Sequence, residues 1–323
     1  MRELAYYEAK LEALSELMAA DESVHLIGGS FLGLSPHRGL FSAIEKNYPD
    51  RVIAPPISEL GYCGLAIGAA MAGLRTVVDL GTGSFIYEAW PQVVNEAANA
   101  FYMSGGQTRA PVVFHVLHGI RGAGAAQHSH SPQAMLWNCP GLEIVLPSSP
   151  GDVKGLLKTA VRSPNPTIFI DHAQLLETRG PVPEGDGAIP FGRAEVKRAG
   201  KDVTVIATSL EVQRSLAVAE QLAREGIQVE VVDPRTVVPL DFATLLQSVE
   251  KTGRVVIVDQ CHKSCGIAAE IAARIAEEGF DKLKAPIRRV TTPDVPIPFS
   301  PPLEEFVTPS EPRIIEAIRS VLR

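Results

Sequence analysis

Long apolar runs are missing from this 323-residue chain: none reaches the length of a membrane span without a glycine or polar interruption, so no membrane helix is expected. The first residues, Met1-Arg2-Glu3-Leu4, lack the basic and apolar segments of a signal peptide, and the cytoplasm is the expected compartment. Basic character is scarce as well. The formal net charge is −7 and no lysine or arginine stripe is interleaved with aromatics, which argues against nucleic acid as a partner. Cysteine is rare, and Cys63, Cys139, Cys261 and Cys265 show no pairing pattern of a secreted scaffold, so reduced thiols are expected. Charged residues make up 21% against 46% hydrophobic, a balance that describes a buried globular protein and excludes a disordered one.

What is present is an alternation of helix and strand signals. An amphipathic helix is expected over 4–20, strands at 25–27, 76–80, 111–116 and 143–146, a helix over 150–160, and a strand at 167–170. A polar stretch, Thr178 to Gly187, has linker composition. The alternation then restarts with strands at 203–207, 229–233 and 254–258 and helices over 211–225, from Asp241, over 266–278 and over 310–322. This pattern predicts an α/β fold of two domains, each a mostly parallel sheet with helices on both faces, over residues 1–185 and 195–323.

Glu59 stands just before Gly61-Tyr62-Cys63-Gly64-Leu65-Ala66-Ile67-Gly68-Ala69-Ala70-Met71-Ala72-Gly73, a run with almost no polar groups that predicts a buried helix closely approached by another backbone. Two readings are open. A first-turn acid interacts with the helix dipole. Alternatively, a carboxylate that loses water there has a raised pKa and suits a proton-sharing catalytic acid. His128 lies in the Gly- and Ala-rich stretch Gly122 to Ser131, which has no core to build, so a satisfied core histidine is the less favoured reading. Cys261-His262-Lys263-Ser264-Cys265 looks like half a zinc site, but no second pair completes it.

Several of these segments occur together in a recognisable order: Ile57-Ser58-Glu59, Gly68-Ala69-Ala70-Met71-Ala72-Gly73, Phe85 and Gln92, Tyr102-Met103-Ser104-Gly105-Gly106, Gln127-His128-Ser129, and Pro140-Gly141-Leu142. Over nearly its whole length the chain resembles the β subunit of the thiamine-diphosphate-dependent 2-oxo acid dehydrogenases, of the pyruvate, branched-chain and acetoin type. The resemblance implies a transketolase-like pyrimidine-binding domain followed by a transketolase C-terminal domain. It implies that Ile57, Glu59 and Phe85 bind the cofactor, with the Glu59 carboxyl on a ring nitrogen of the aminopyrimidine and Phe85 packed against that ring. It further implies that His128 acts beside the reacting carbonyl, and that Val112, Ala160, Val161, Ser163 and Asn165 form a potassium loop held by backbone carbonyls, with Ser163 where an aspartate is usual.

Gly185-Asp186-Gly187 copies the first half of the diphosphate-and-magnesium motif of thiamine enzymes, but that motif requires a downstream asparagine, and none follows Asn165. The resemblance therefore implies that the cofactor is shared with an α subunit that holds Mg2+, in an α2β2 heterotetramer. The implied activity is decarboxylation of a small 2-oxo acid, or cleavage of acetoin, with passage of the acyl group to the lipoyl domain of an acyltransferase. Departures from the family pattern, Gly29, Ser30, Gly81, Gly83 and Pro91, remove carboxylates and bulky side chains and are expected to reshape the pocket. On that ground a split transketolase-like or carboligating enzyme is the alternative. A non-catalytic structural subunit is the second alternative, and intact Glu59 and His128 argue against it.

Overall fold

The computed structural model describes residues 2–28 and 38–323, so Gly29 and Ser30 lie outside the described residues. Contacts divide the chain into two compact units, Met1–His118 with Met135–Phe191, and Gly119–Ala134 with Gly192–Arg323. The segment 119–134, which carries His128, thus groups with the second unit.

The first unit contains β1 (Arg2–Ala5), α1 (Tyr6–Ala20), β2 (Val24–Ile27), α2 (Arg38–Asn47), β3 (Val52–Ile53), α3 (Glu59–Met71), β4 (Arg75–Thr82), α4 (Ala100–Met103) and β5 (Val112–His118). After α5 (Ala125–His128) and α6 (Gln133–Trp137) come β6 (Glu143–Val145), α7 (Pro150–Arg162), β7 (Thr167–His172) and β8 (Arg179–Val182). Within this unit six strands run parallel in the order β6-β7-β5-β4-β2-β3. Every residue of β5 and β7 is buried, as expected of parallel strands covered on both faces. Helix α7 starts where Ser149 accepts the Asp152 amide and Pro150 occupies a position whose missing N–H costs nothing.

The stretch with linker composition is not a free linker. Residues 179–182 form β8, which pairs antiparallel with β1, Leu4 opposite Gly180. The pairing also explains why α1 begins at Tyr6 and not at residue 4: Arg2–Ala5 are taken up as a strand partner.

The second unit contains β9 (Glu195–Arg198), β10 (Val203–Ala207), α8 (Leu210–Ala223), β11 (Val229–Asp233), β12 (Thr236–Val238), α9 (Phe242–Thr252), β13 (Val255–His262), α10 (Ile267–Glu278), β14 (Arg288–Thr292), α11 (Pro301–Val307) and α12 (Glu311–Leu322). Its sheet runs β14-β13-β10-β11-β9, parallel except for β9. Alternate residues of β10 face different layers. Val203, Val205 and Ala207 join the apolar cluster with Val218 and Leu222 of α8 and Ile314 and Ile318 of α12. Thr204 turns instead to α9, where its hydroxyl bonds Ser248 and Thr252 at 2.7 and 2.8 Å. Among the described residues no helix is long and apolar enough to cross a membrane.

Candidate active site

In the first unit the candidate residues follow the carboxyl ends of parallel strands, where α/β sheets bind ligands. Glu59 opens α3 shortly after β3, and β4 runs directly into a 3-10 turn, Gly83–Tyr87, that carries Phe85. Glu59 and Phe85 are each partly exposed, and Ile57 is 90% exposed. The expectation of a helix buried all round needs correction. One face of α3 (Tyr62, Cys63, Ala66, Ile67, Ala70) is buried, while Leu60, Leu65 and Met71 on the other are exposed and an added Cβ at Gly68 would meet nothing within 4 Å. At Gly64 an added Cβ would lie 3.5 Å from the Gln92 side chain, an ordinary contact, and the expected approach of another backbone is not found there. Gln92 itself belongs to a π-helical segment, Pro91–Ala97, with Pro91 at its first position.

Burial lifts the Tyr62 hydroxyl well above its ordinary range, and the negative charge of Glu59 and of Asp79 adds to it; burial and the Glu59 charge push the Cys63 thiol up to about 12. Glu59 therefore acts electrostatically on the residues behind it. Asp79, which also raises the Tyr62 pKa, belongs to a buried charged cluster that no local sequence pattern marks. Lys10 donates to Asp171 at 2.8 Å, His115 bonds Asp171 through Nε2 at 2.9 Å and Asp79 through Nδ1 at 3.1 Å, and the Tyr6 hydroxyl also donates to Asp171. All four charged groups are essentially inaccessible. Against desolvation and the nearby Lys10 ammonium, whose Nζ lies 3.2 Å from Nε2, the two flanking carboxylates raise the His115 pKa. Desolvation is outweighed at Asp171 too, where Lys10 and His115 hold the carboxyl well below its usual range.

Asp79 carries this cluster forward to the end of β4. Its Oδ1 accepts the Gly81 amide at 3.0 Å, and Gly81 has φ +74° where the β4–β5 register shifts. A bulky residue there would be strained, so the glycine that the sequence reading connected with a wider pocket also has a backbone reason.

In the second unit His128 is exposed at the end of α5, a single turn in which the His128 amide donates to the Gly124 carbonyl at 3.2 Å. The turn is entered through left-handed backbone at Gly122 (φ +93°), Ala123 (φ +54°) and Ala125 (φ +52°). For the two alanines this costs roughly 1–3 kcal/mol each, the kind of strain that concentrates at functional sites. Gln127 is exposed, and the half-buried His130 has a pKa lowered by burial and by the neighbouring His262.

The expected potassium loop already holds a cation. Arg75 donates to the Val161 and Ser163 carbonyls at 2.9 and 3.2 Å, while the Ser163 hydroxyl and the Asn165 amide both turn onto Glu143, at 2.7 and 3.0 Å. Val112 and Ala160 are buried in β5 and α7. With a guanidinium already bonded to two of these carbonyls, a potassium ion beside it would meet like charge. Asp186 is likewise committed elsewhere, in a two-pronged pair with Arg162 at 2.7 and 2.8 Å. Cys261 is buried with its thiol directed at the Ser131 carbonyl, whereas Cys265 is exposed. Among the described residues no group of three or more His, Cys, Asp or Glu side chains could hold a metal ion.

With this geometry in view, the comparisons are specific. The transketolase pyrimidine-binding domain model matches residues 2–178, and the transketolase C-terminal domain model matches 192–314. The β subunit of acetoin:2,6-dichlorophenolindophenol oxidoreductase from Cupriavidus necator is 40% identical, with 100% of this chain and 98% of that protein covered. The pyruvate dehydrogenase E1 component subunit β of Rickettsia felis is 41% identical, with 97% of each covered. Among solved structures, a split-gene transketolase described as an inactive β4 tetramer superposes with TM-score 0.79 at 22% identity, covering 99% of this chain and 98% of that one, which speaks to the fold alone.

Proposed function

The chain belongs to the transketolase-like family of E1 β subunits of pyruvate and acetoin dehydrogenases, and from that premise we propose how its residues work with an α subunit as a thiamine-diphosphate-dependent oxidoreductase. The observation that carries the reading is the placement of Glu59 and Phe85 after the carboxyl ends of β3 and β4, the two neighbours of β2 in one parallel sheet, both partly accessible. These residues fit the pyrimidine half of the cofactor: a carboxyl for a ring nitrogen, an aromatic face for the ring, and the Gly81 and Gly83 backbone in place of side-chain bulk. The partly exposed Glu59 reaches the desolvated state its role requires only when cofactor and partner cover it. When bound, thiamine diphosphate supplies the nucleophilic carbon and the electron sink for breaking the bond next to the carbonyl.

In this reading Glu59 shares a proton with the pyrimidine, Phe85 and Ile57 orient the ring and exclude water, and His128 donates to the oxygen that gains charge on the substrate carbonyl. The substrate is a small 2-oxo acid or acetoin, and a lipoyl domain accepts the acyl group. Partner binding is supported by the apolar surface of the first unit. Leu60, Leu65 and Met71 on α3 are exposed, as are Phe101, Tyr102 (84%) and Met103 (78%) on α4, more than scattered surface residues explain. With oxidoreductase subunits as the named relatives, the carboligating and structural-subunit readings gain no support.

The test is reconstitution with the co-encoded α subunit, cofactor and magnesium, followed by turnover of 2-oxo acids and acetoin with an artificial electron acceptor. Glu59→Gln is expected to keep assembly and lose about 10²–10⁴-fold in activity and in exchange of the cofactor's C2 proton. Unchanged exchange in that variant would remove Glu59 from its role.

A further inference from the structure

We propose that Glu304 is a positioning residue for His128: its carboxylate clamps the backbone of the left-handed turn from which the histidine projects. Glu304 sits on α11 and is buried, with 4% of its surface exposed. One oxygen, Oε2, accepts the Ala123 amide at 2.9 Å, and the other, Oε1, accepts the Gly124 amide at 3.3 Å. Two successive N–H groups converging on one carboxylate is what a turn through φ > 0 produces, and charge-assisted bonds of this kind are among the stronger ones a buried backbone can make. The clamp lies where the loop is least able to hold itself. Ala123 and Ala125 are both left-handed, and Gly124 between them has no room for a side chain, since an added Cβ would lie 2.6 Å from Ser129 Oγ.

Other contacts of the same unit fix the ends of the segment, and Glu304 bonds the backbone at its centre. At the entry the Ile120 amide donates to Gln260 Oε1 at 3.0 Å, and Ile120 packs with Ile297 and Val307. At the exit Gln133 reaches Asp259 at 3.4 Å and the Cys261 thiol points at the Ser131 carbonyl. Gly124 is the residue whose carbonyl receives the His128 amide, so a shift of the clamped amides moves the imidazole directly. Glu304 touches no reacting atom in this scheme. It acts through His128, and the inference rests on the reading of His128 as the group that serves the substrate oxygen.

The experiment compares Glu304→Ala and Glu304→Gln with His128→Ala and with the Glu304→Ala/His128→Ala double variant, all assembled with the α subunit. Glu304→Ala is expected to lower kcat on the order of 10–100-fold, the scale of a misplaced catalytic group, with KM and cofactor affinity little changed. Glu304→Gln, which keeps an acceptor oxygen, is expected to recover part of the loss. The double variant is expected to fall no further than His128→Ala, because no imidazole is left to position. A normal kcat in Glu304→Ala, or a double variant that loses the product of the two single losses, overturns the proposal in favour of a structural role. A second readout is independent of turnover: in the full-length chain Glu304→Ala is expected to speed hydrogen exchange at the Ala123 and Gly124 amides at least about tenfold and to shift the His128 ring resonances. If the wild-type assembly turns over no 2-oxo acid or acetoin, the functional reading fails while this readout still decides the clamp, and unchanged exchange overturns it.

Discussion

The two units bury polar networks of opposite character. In the first, Lys10, Asp171, His115 and Asp79 form a closed set in which every side chain has a polar partner at hydrogen-bond distance. In the second, Glu211 accepts from Arg214 and Gln260 at 2.8 Å through one oxygen, while its other oxygen has no partner. Ser129, Gln133 and Ser215, the other residues with a buried side-chain atom lacking a partner among the described residues, belong to the second unit as well. A closed network locks strands β4, β5 and β7 to α1 behind the Glu59 side. An open one leaves a carboxyl poised to titrate near neutrality, since burial pushes Glu211 up to about 7. It is also the kind of place where local opening is cheapest.

The comparison breaks most directly at Lys10. Replacing Lys10 by Met leaves the buried Asp171 carboxylate without its ammonium partner, and removal of one partner from a buried ion pair costs about 3–5 kcal/mol. Urea unfolding of the full-length chain should show the loss, and a variant as stable as the parent would mean the quartet is not held as charges. The same set predicts a loss of stability in acid. Asp171 is depressed in the folded state, so its contribution is present above its unfolded value and vanishes as pH falls through the folded one.

Glu211 sharpens the contrast through the opposite sign. Its folded pKa lies above the ordinary 4.5, so the folded state holds the proton more tightly. The contribution to stability is intact below about 4.5, declines as pH rises toward about 7, and is flat beyond. Glu211→Gln should remove that decline, gaining on the parent by something on the order of 3 kcal/mol between pH 5 and pH 8. Parallel stability curves for the two proteins would show that the carboxyl is not desolvated.

A smaller effect is expected at Arg75, whose guanidinium occupies the carbonyl loop. Arg75→Ala should cost about 1–3 kcal/mol, from hydrogen bonds between a charged group and the Val161 and Ser163 carbonyls. Added potassium should restore part of that stability only if those carbonyls can take the ion once the guanidinium is gone, so a thermal-melt titration with potassium against lithium decides it. The smallest effect is expected at Arg162, paired on the surface with Asp186. Arg162→Ala should change stability by no more than about 1 kcal/mol, less in high salt. A larger loss would return Asp186 to consideration as something other than a surface partner.

Much of the fold was legible because parallel strands buried on both faces carry runs of apolar residues, as Val112-Val113-Phe114 in β5 and Val255-Val256-Ile257-Val258 in β13 do. Capping residues set helix starts locally, as Ser149 and Asp241 do. Strand β8 was not legible, since Arg179-Gly180-Pro181-Val182 carries loop residues and earns its pairing from β1 at the far end of the chain. The exposed face of α3 escaped for a related reason. Composition reports that a helix can be covered on every side, not whether this chain supplies the cover.

The sequence by itself determined the family and the α/β alternation and singled out Glu59, Phe85 and His128 as candidates, because short motifs and periodicity are properties of neighbouring residues. Tertiary structure alone decided which distant side chains meet. It brought Lys10, Asp79, His115 and Asp171 into one buried set, placed Arg75 on the Val161 and Ser163 carbonyls, and set Glu304 under the turn of His128. Those partners are separated by tens to more than a hundred residues, and no local pattern marks them, because electrostatic pairing depends on distance in space and on exclusion of water, which exist only once the chain is folded.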